Sequence, residues 1–164
     1  PFLMEVNTRI QVENGVSAAI ARQGANEDVN LIAEQIRIGL GEDLGYTQDD
    51  VAFEGVGIEY RLIAEDPDNR FSPWVGRIDQ FDWQAQDWLK VHTQVPTTES
   101  YEIPTEYDPN LALAIIWGKD LQEAKTRGVQ FLDSLQLAGQ DGSGGSLKSN
   151  VKFLREQTER LLEF

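Results

Sequence analysis

The chain has 164 residues, 40% of them hydrophobic, with four tryptophans, no cysteine and a formal charge of -14 against only 14 Lys and Arg. That is apolar material enough for one sizeable core, while the acidic balance opposes nucleic acid and anionic lipid, which need a basic footprint. Without cysteine there is no disulfide, thiolate metal site or Cys nucleophile; no apolar run approaches the roughly 20 residues that span a bilayer and no export leader opens the chain, so a soluble protein without a membrane partner is expected.

In the opening segment Phe2, Met4, Val6, Ile10 and Val12 hold even positions, and Glu5, Asn7, Arg9, Gln11 and Glu13 hold odd ones. This period of two predicts an extended segment with one buried face. The polar set of acids, amides and a fixed cation suits a divalent metal through oxygen ligands and a small oxyanion on a guanidinium. A solvated strand face accounts for the same alternation. At roughly 3.3 Å per residue Glu5 and Glu13 would stand about 26 Å apart, so a shared pocket requires a bend, predicted at Asn7-Thr8. The chain starts inside this segment without Met, which points to a piece of a longer polypeptide.

Residues 16–22 then read as a short helix, broken at Gln23-Gly24-Ala25-Asn26. Asp28 is the predicted cap of a second helix with Val29, Ile32, Ala33, Ile36 and Leu40 at helical spacing, ended by Gly39 and Gly41. Thr47-Gln48-Asp49-Asp50 has capping-box form and leads into strands at 51–53 and 57–64. Short β-prone runs follow at 76–79, 88–95 and 113–117, punctuated by Pro, Gly and Asp. Helix returns with Asp120 as cap of a segment that carries Leu121, Ala124, Gly128, Phe131, Leu132 and Leu135 on one face. A last helix is marked by Val151, Leu154, Thr158, Leu161 and Leu162, and residues 139–146 between the two read as a flexible, solvated linker. It is not a P-loop, because Lys148 does not follow the glycines directly.

The run Met4-Glu5-Val6-Asn7-Thr8-Arg9-Ile10-Gln11-Val12-Glu13 resembles the signature that closes the ATP-grasp portion of biotin carboxylases. Its Glu-x-Asn part is shared with other ATP-grasp ligases, whereas the extension from Thr8 to Glu13 is specific. Ile58-Glu59-Tyr60-Arg61-Leu62-Ile63-Ala64-Glu65-Asp66-Pro67 is similar to the family's next signature. Pro73-Trp74-Val75-Gly76-Arg77-Ile78, Tyr107-Asp108 and Ala114-Ile115-Ile116-Trp117-Gly118 follow in family order, so the resemblance covers nearly the whole chain. It implies an α+β fold in two parts, residues 1–50 as the tail of an ATP-grasp domain and 51–164 as the mixed strand and helix C-terminal domain. It also implies a cytoplasmic ligase that carboxylates biotin on a carrier protein with ATP and bicarbonate, within an acetyl-CoA carboxylase of fatty acid biosynthesis, another acyl-CoA carboxylase or a pyruvate carboxylase. The implied partners are the amino-terminal remainder of the same polypeptide, a biotin carboxyl carrier protein, a carboxyltransferase and a second copy in a homodimer.

The resemblance assigns roles residue by residue. Glu5, with Asn7 nearby, takes the Mg²⁺ or Mn²⁺ ions on the ATP phosphates, because hard cations want carboxylate oxygen and phosphoryl transfer needs its charge neutralised. Arg9 clamps bicarbonate with Gln11 and the backbone of Val12, and Glu13 is the base that deprotonates it. Arg61 meets the ureido oxygen of biotin, where negative charge develops; an ion pair with Glu59, Glu65 or Asp66 is the plainer account of the same arginine. Asp108 supports Arg61 from behind. Departures from the family pattern are Asn14 for its His, Leu113 for its Lys, and Asp82-Trp83-Gln84-Ala85 for a Gly-rich turn. They keep a rival open, a non-catalytic scaffold or dimerisation domain derived from this fold. Another ATP-grasp ligase would not bring the second and third signatures. His92 and the tryptophans read as structural.

Overall fold

The computed structural model describes residues 2–23, 27–105 and 109–161. In chain order these form α1 (Asn14–Ile20), β1 (Ala21–Gln23), β2 (Glu27–Asp28), α2 (Leu31–Gly39), β3 (Val51–Phe53), β4 (Val56–Ile63), β5 (Glu65–Asp66), β6 (Ser72–Pro73), β7 (Arg77–Asp82), β8 (Leu89–Thr93), β9 (Tyr101–Glu102), β10 (Asn110–Gly118), α3 (Leu121–Ser134), β11 (Gln136–Gln140) and α4 (Val151–Arg160). Among the described residues the strands make sheets ordered β2-β1-β3, β4-β10-β8, β11-β7-β9 and the pair β5-β6. All of these pairings are antiparallel. Antiparallel sheets with helices packed against them make this an α+β fold. No helix among the described residues is long and apolar enough to cross a membrane.

Strand β10 organises the core. Leu111, Ala112, Ala114, Ile115 and Ile116 are all buried, so the strand is a continuous apolar run rather than an alternating one. That composition suits a strand covered on both faces. One face meets α3, whose Ala124, Phe131 and Leu132 are buried, and the other meets α1. From β4, Tyr60 and Leu62 point into the core on the α3 and α4 side. The Tyr60 hydroxyl shares a buried 2.9 Å hydrogen bond with Thr158 of α4, and burial pushes its pKa above the usual 10.0 despite that bond.

Local signals set several boundaries as expected. The Asp120 carboxylate accepts from the Glu123 N–H at 2.8 Å, while Glu123 accepts in turn from the Lys119 N–H at 2.7 Å, closing both ends of the first turn of α3. Asp50 accepts from the Thr47 N–H at 2.8 Å and from its hydroxyl at 2.9 Å, and these bonds hold the Asp50 carboxyl below the ordinary 3.8.

Elsewhere the structure corrects the expectation. The opening residues form no strand among the described residues, and the even face is not buried: Phe2 is 97% and Met4 94% exposed. A strand is held by a ladder, and no strand of the described chain lies beside this segment. Its bend falls at Arg9 rather than at Asn7-Thr8. Helix α2 is capped by Asn30, which accepts from the Ala33 N–H at 3.0 Å, and not by Asp28, which lies in β2.

The supposed linker at 139–146 begins as strand β11, which pairs with β7 from Gln136 to Gln140. Gly139 belongs to the ladder because a Cβ there would stand 2.3 Å from the Arg77 carbonyl oxygen. The turn that follows is ordered by one carboxylate. Asp141 Oδ1 accepts from the Ser143 hydroxyl at 2.6 Å and from the N–H groups of Ser143 and Gly145, each at 2.8 Å. The Ser143 hydroxyl, then the Gly145 and Ser143 amides, hold the Asp141 carboxyl below its ordinary 3.8.

Candidate functional site

Alternation along β4 sends Tyr60 and Leu62 to the core and Glu59 and Arg61 to the opposite face of the sheet. On that face Arg61 lies directly across from Leu113 of β10, which lies across from His92 of β8; the next row is Glu59, Ile115 and Lys90. Helix α1 covers part of this face. It sits so close that a Cβ on Gly15 would stand 2.2 Å from the Ile115 Cδ1, and Ile115 is itself buried. A glycine at this point lets the start of α1 settle on the sheet, and the residue that precedes the helix is Glu13.

Glu13 and Arg61 therefore meet. Arg61 Nη2 donates to Glu13 Oε1, joining residues 48 apart in sequence. Arg61 Nε donates to Glu59 Oε1 at 3.3 Å. The Glu59 side chain is only 7% exposed, and its second oxygen is buried without a hydrogen-bond partner. Arg61, at 44% side-chain exposure, is thus held by one buried acid and one exposed acid while its head still reaches solvent. Glu13 occupies the N-cap position of α1 but makes no side-chain cap bond, which leaves its carboxylate to the arginine among the described residues.

The other expected site residues are not gathered into that cluster. Arg9 donates to the Ile10 carbonyl at 3.2 Å and lines, with Asn7, a cleft of about 540 Å³ against Leu31, Glu34 and Ile38 of α2 and Tyr46. Glu5 is exposed. The carbonyls of Gln11 and Val12 accept from Asn14 Nδ2 at 2.7 and 3.4 Å, so Asn14 closes the turn into α1. Asp108 lies outside the described residues. Among the described residues no group of three or more His, Cys, Asp or Glu is placed to hold a metal ion.

Leu113 separates Arg61 from the exposed His92, and no hydrogen bond links the two. Of the tryptophans, Trp74 is in the core, and Arg127 lies 5.5 Å from the ring centroids of both Trp88 and Trp117. Asn150 gave no signal in the sequence. Standing before Val151 it has the form of an ordinary helix cap, and only the fold brings its amide to β4 beside Arg61.

Residues 59–160 match the model of the biotin carboxylase C-terminal domain, and the chain belongs to the biotin carboxylase family. It is 38% identical over 138 residues to a biotin carboxylase of Nostoc sp., covering 84% of this chain and 29% of that protein. Against the chloroplastic biotin carboxylase of Arabidopsis thaliana the identity is 36%, over 84% of this chain and 24% of the relative. The chain therefore spans less than a third of the length of these relatives. Among solved structures it is similar to the biotin carboxylase domain dimer of Hydrogenobacter thermophilus 2-oxoglutarate carboxylase, which was crystallised with MgADP, ADP and bicarbonate. That likeness has a TM-score of 0.78 at 32% identity and covers 93% of this chain and 30% of the other. Family and α+β fold are both as the sequence motifs implied.

Proposed function

We propose that this chain is the carboxy-terminal part of a biotin carboxylase, with residues 1–50 closing an ATP-grasp domain and 51–164 forming the C-terminal domain. Its reaction is the ATP- and bicarbonate-dependent carboxylation of biotin on a carrier protein. The observation that supports this most is the ion pair between Arg61 and Glu13, which brings two separate signature blocks into one small space. In that space Glu13 takes the proton of bicarbonate, and the freed oxyanion attacks the γ-phosphorus of ATP with ADP leaving, to give carboxyphosphate. Arg61 donates to the ureido oxygen of biotin as charge builds on it. Held by two acids, the guanidinium is oriented before substrate arrives, so little ordering remains for the reaction itself.

Arg9, Gln11 and the Val12 backbone bind bicarbonate in this proposal, and the relative crystallised with that anion supports it. Glu5 and Asn7 are hard oxygen donors of the kind that Mg²⁺ or Mn²⁺ takes beside phosphate oxygens and water. Metal bound there would neutralise the charge of the phosphates. The carrier protein, a carboxyltransferase, a homodimeric partner, an amino-terminal remainder and a cytoplasmic location belong to the same proposal, with immunoprecipitation and cell fractionation as their check.

Replacing Arg61 by Ala tests the assignment in a polypeptide that supplies the rest of the carboxylase. Carboxylation of free biotin should fall about tenfold or more, the value of one hydrogen bond to a charged group. Bicarbonate-dependent ATP cleavage without biotin should fall less. Equal losses in both assays would make Arg61 a structural ion-pair partner, and no activity in the unsubstituted protein would favour the scaffold, which Asn14 and Leu113 support. The chain alone is expected to be inactive, because it carries no glycine loop to cradle phosphate. Titration calorimetry with Mg-ATP should show no saturation below about millimolar, since half a site cannot position the cations that phosphoryl transfer needs; a micromolar constant would refute the division at residue 50.

A further inference from the structure

Among the described residues strand β4 lies at the edge of its sheet, paired only with β10. An edge strand presents a row of unpaired N–H and C=O groups, and at Arg61 and Ile63 these are taken by one side chain. Asn150 Nδ2 donates to the Arg61 carbonyl oxygen at 3.0 Å, and its Oδ1 accepts from the Ile63 N–H at 3.0 Å. The Asn150 N–H donates in turn to the Ile63 carbonyl at 3.1 Å. The carboxamide thus supplies the donor and acceptor that a neighbouring strand would have offered.

Asn150 is 5% exposed, so this amide is buried with its nitrogen and its oxygen each bonded to β4. It also stands at the N-cap of α4, where an asparagine ordinarily bonds the first turn, and it makes no such bond. Further along the same helix Thr158 fastens to Tyr60, the neighbour of Arg61. Helix α4 is therefore tied to β4 by buried polar contacts on either side of the Arg61 backbone.

We infer that Asn150 is a positioning residue for Arg61: it fixes the strand from which the guanidinium projects, without touching substrate. The inference rests on the role proposed above for Arg61. Glu59 and Glu13 hold the head of that side chain, and Asn150 holds its base. Releasing the base lets the edge strand shift, and reaction geometry does not tolerate displacements of an ångström.

The test uses Asn150→Ala and the milder Asn150→Ser, which keeps a hydroxyl for one of the two bonds, each alone and combined with Arg61→Ala. All variants are assayed in the complete carboxylase polypeptide, below their measured unfolding temperatures. The expected kcat for carboxylation of free biotin falls about tenfold in Asn150→Ala, within the range for a displaced reacting group, and less in Asn150→Ser. Bicarbonate-dependent ATP cleavage without biotin falls less than the biotin step, and adding either change to Arg61→Ala costs little more. Equal losses in the two assays, or full additivity with Arg61→Ala, would overturn the positioning role and leave Asn150 a residue of the fold. If Arg61→Ala by itself spares the biotin step, both roles fall; if it impairs that step and the Asn150 variants do not, only the positioning role falls.

Discussion

Replacing Glu13 by Gln is expected to lower bicarbonate-dependent ATP cleavage at least about 100-fold, the lower end of what a lost general base costs. The substitution is isosteric and keeps a side-chain oxygen, so the hydrogen bond from Arg61 Nη2 survives in form. What disappears is the ability to take a proton. The Glu13 side chain is 55% exposed, and an ion pair at such a surface is worth only about 0–1 kcal/mol. Stability should therefore barely move. ADP release measured with and without bicarbonate, beside a thermal melt, separates the two effects. If Glu13 serves only to hold Arg61, the Gln variant keeps most of its rate, and that result would sink the assignment of the base.

The largest stability effect is expected at Phe131. It is 1% exposed on α3, in the same cluster as Leu62, Ile116 and Leu132. Truncation to Ala removes the apolar area of the ring and leaves a cavity that the surrounding strands fill only in part, a loss of about 3–5 kcal/mol. A domain holds about 5–15 kcal/mol in total. Urea unfolding followed by tryptophan fluorescence should thus show a midpoint shifted strongly downward with little change in slope. Phe153 is an internal control: it is 36% exposed and meets Phe71 edge-on with centroids 5.0 Å apart. Its truncation should cost about 0.5–1.5 kcal/mol beyond the small area lost, the value of one aromatic pair. Similar losses at both positions would mean that α3 is not seated on the core as described.

The elements that were legible in the amino-acid order are those set by contacts a few residues apart. Asp120 announced α3 because its carboxylate can reach the Glu123 amide with no help from the rest of the chain. The same holds for Thr47 and Asp50. Strand β10 was legible for another reason, since an apolar run bounded by polar turns has nowhere to lie but in the interior. The segment at 139–146 was not. Its Gly, Gln, Asp and Ser have the composition of a linker, yet Gly139 and Gln140 end strand β11, because β7 offers a ladder and a glycine fits beside the Arg77 carbonyl. The opening segment failed in the opposite sense: its alternation is that of a strand, and the described chain gives it no ladder.

The site divides along the same line. Family, residue types and the candidate roles of Glu13 and Arg61 follow from the amino-acid order, because ten contiguous residues and a second block carry that information without coordinates. The order also supplies Glu59 as a neighbour of Arg61, two positions away on the same face of a strand. That Glu13 shares the guanidinium is a matter of packing, since the contact depends on how closely α1 settles over Ile115. Packing likewise turns Asn150 from a helix cap into a clamp on β4, 89 residues from the carbonyl it binds. Short-range hydrogen bonds and hydrophobic periodicity can be read along the chain. Pairings across dozens of residues exist only once the packing of helices on sheets has brought their ends together.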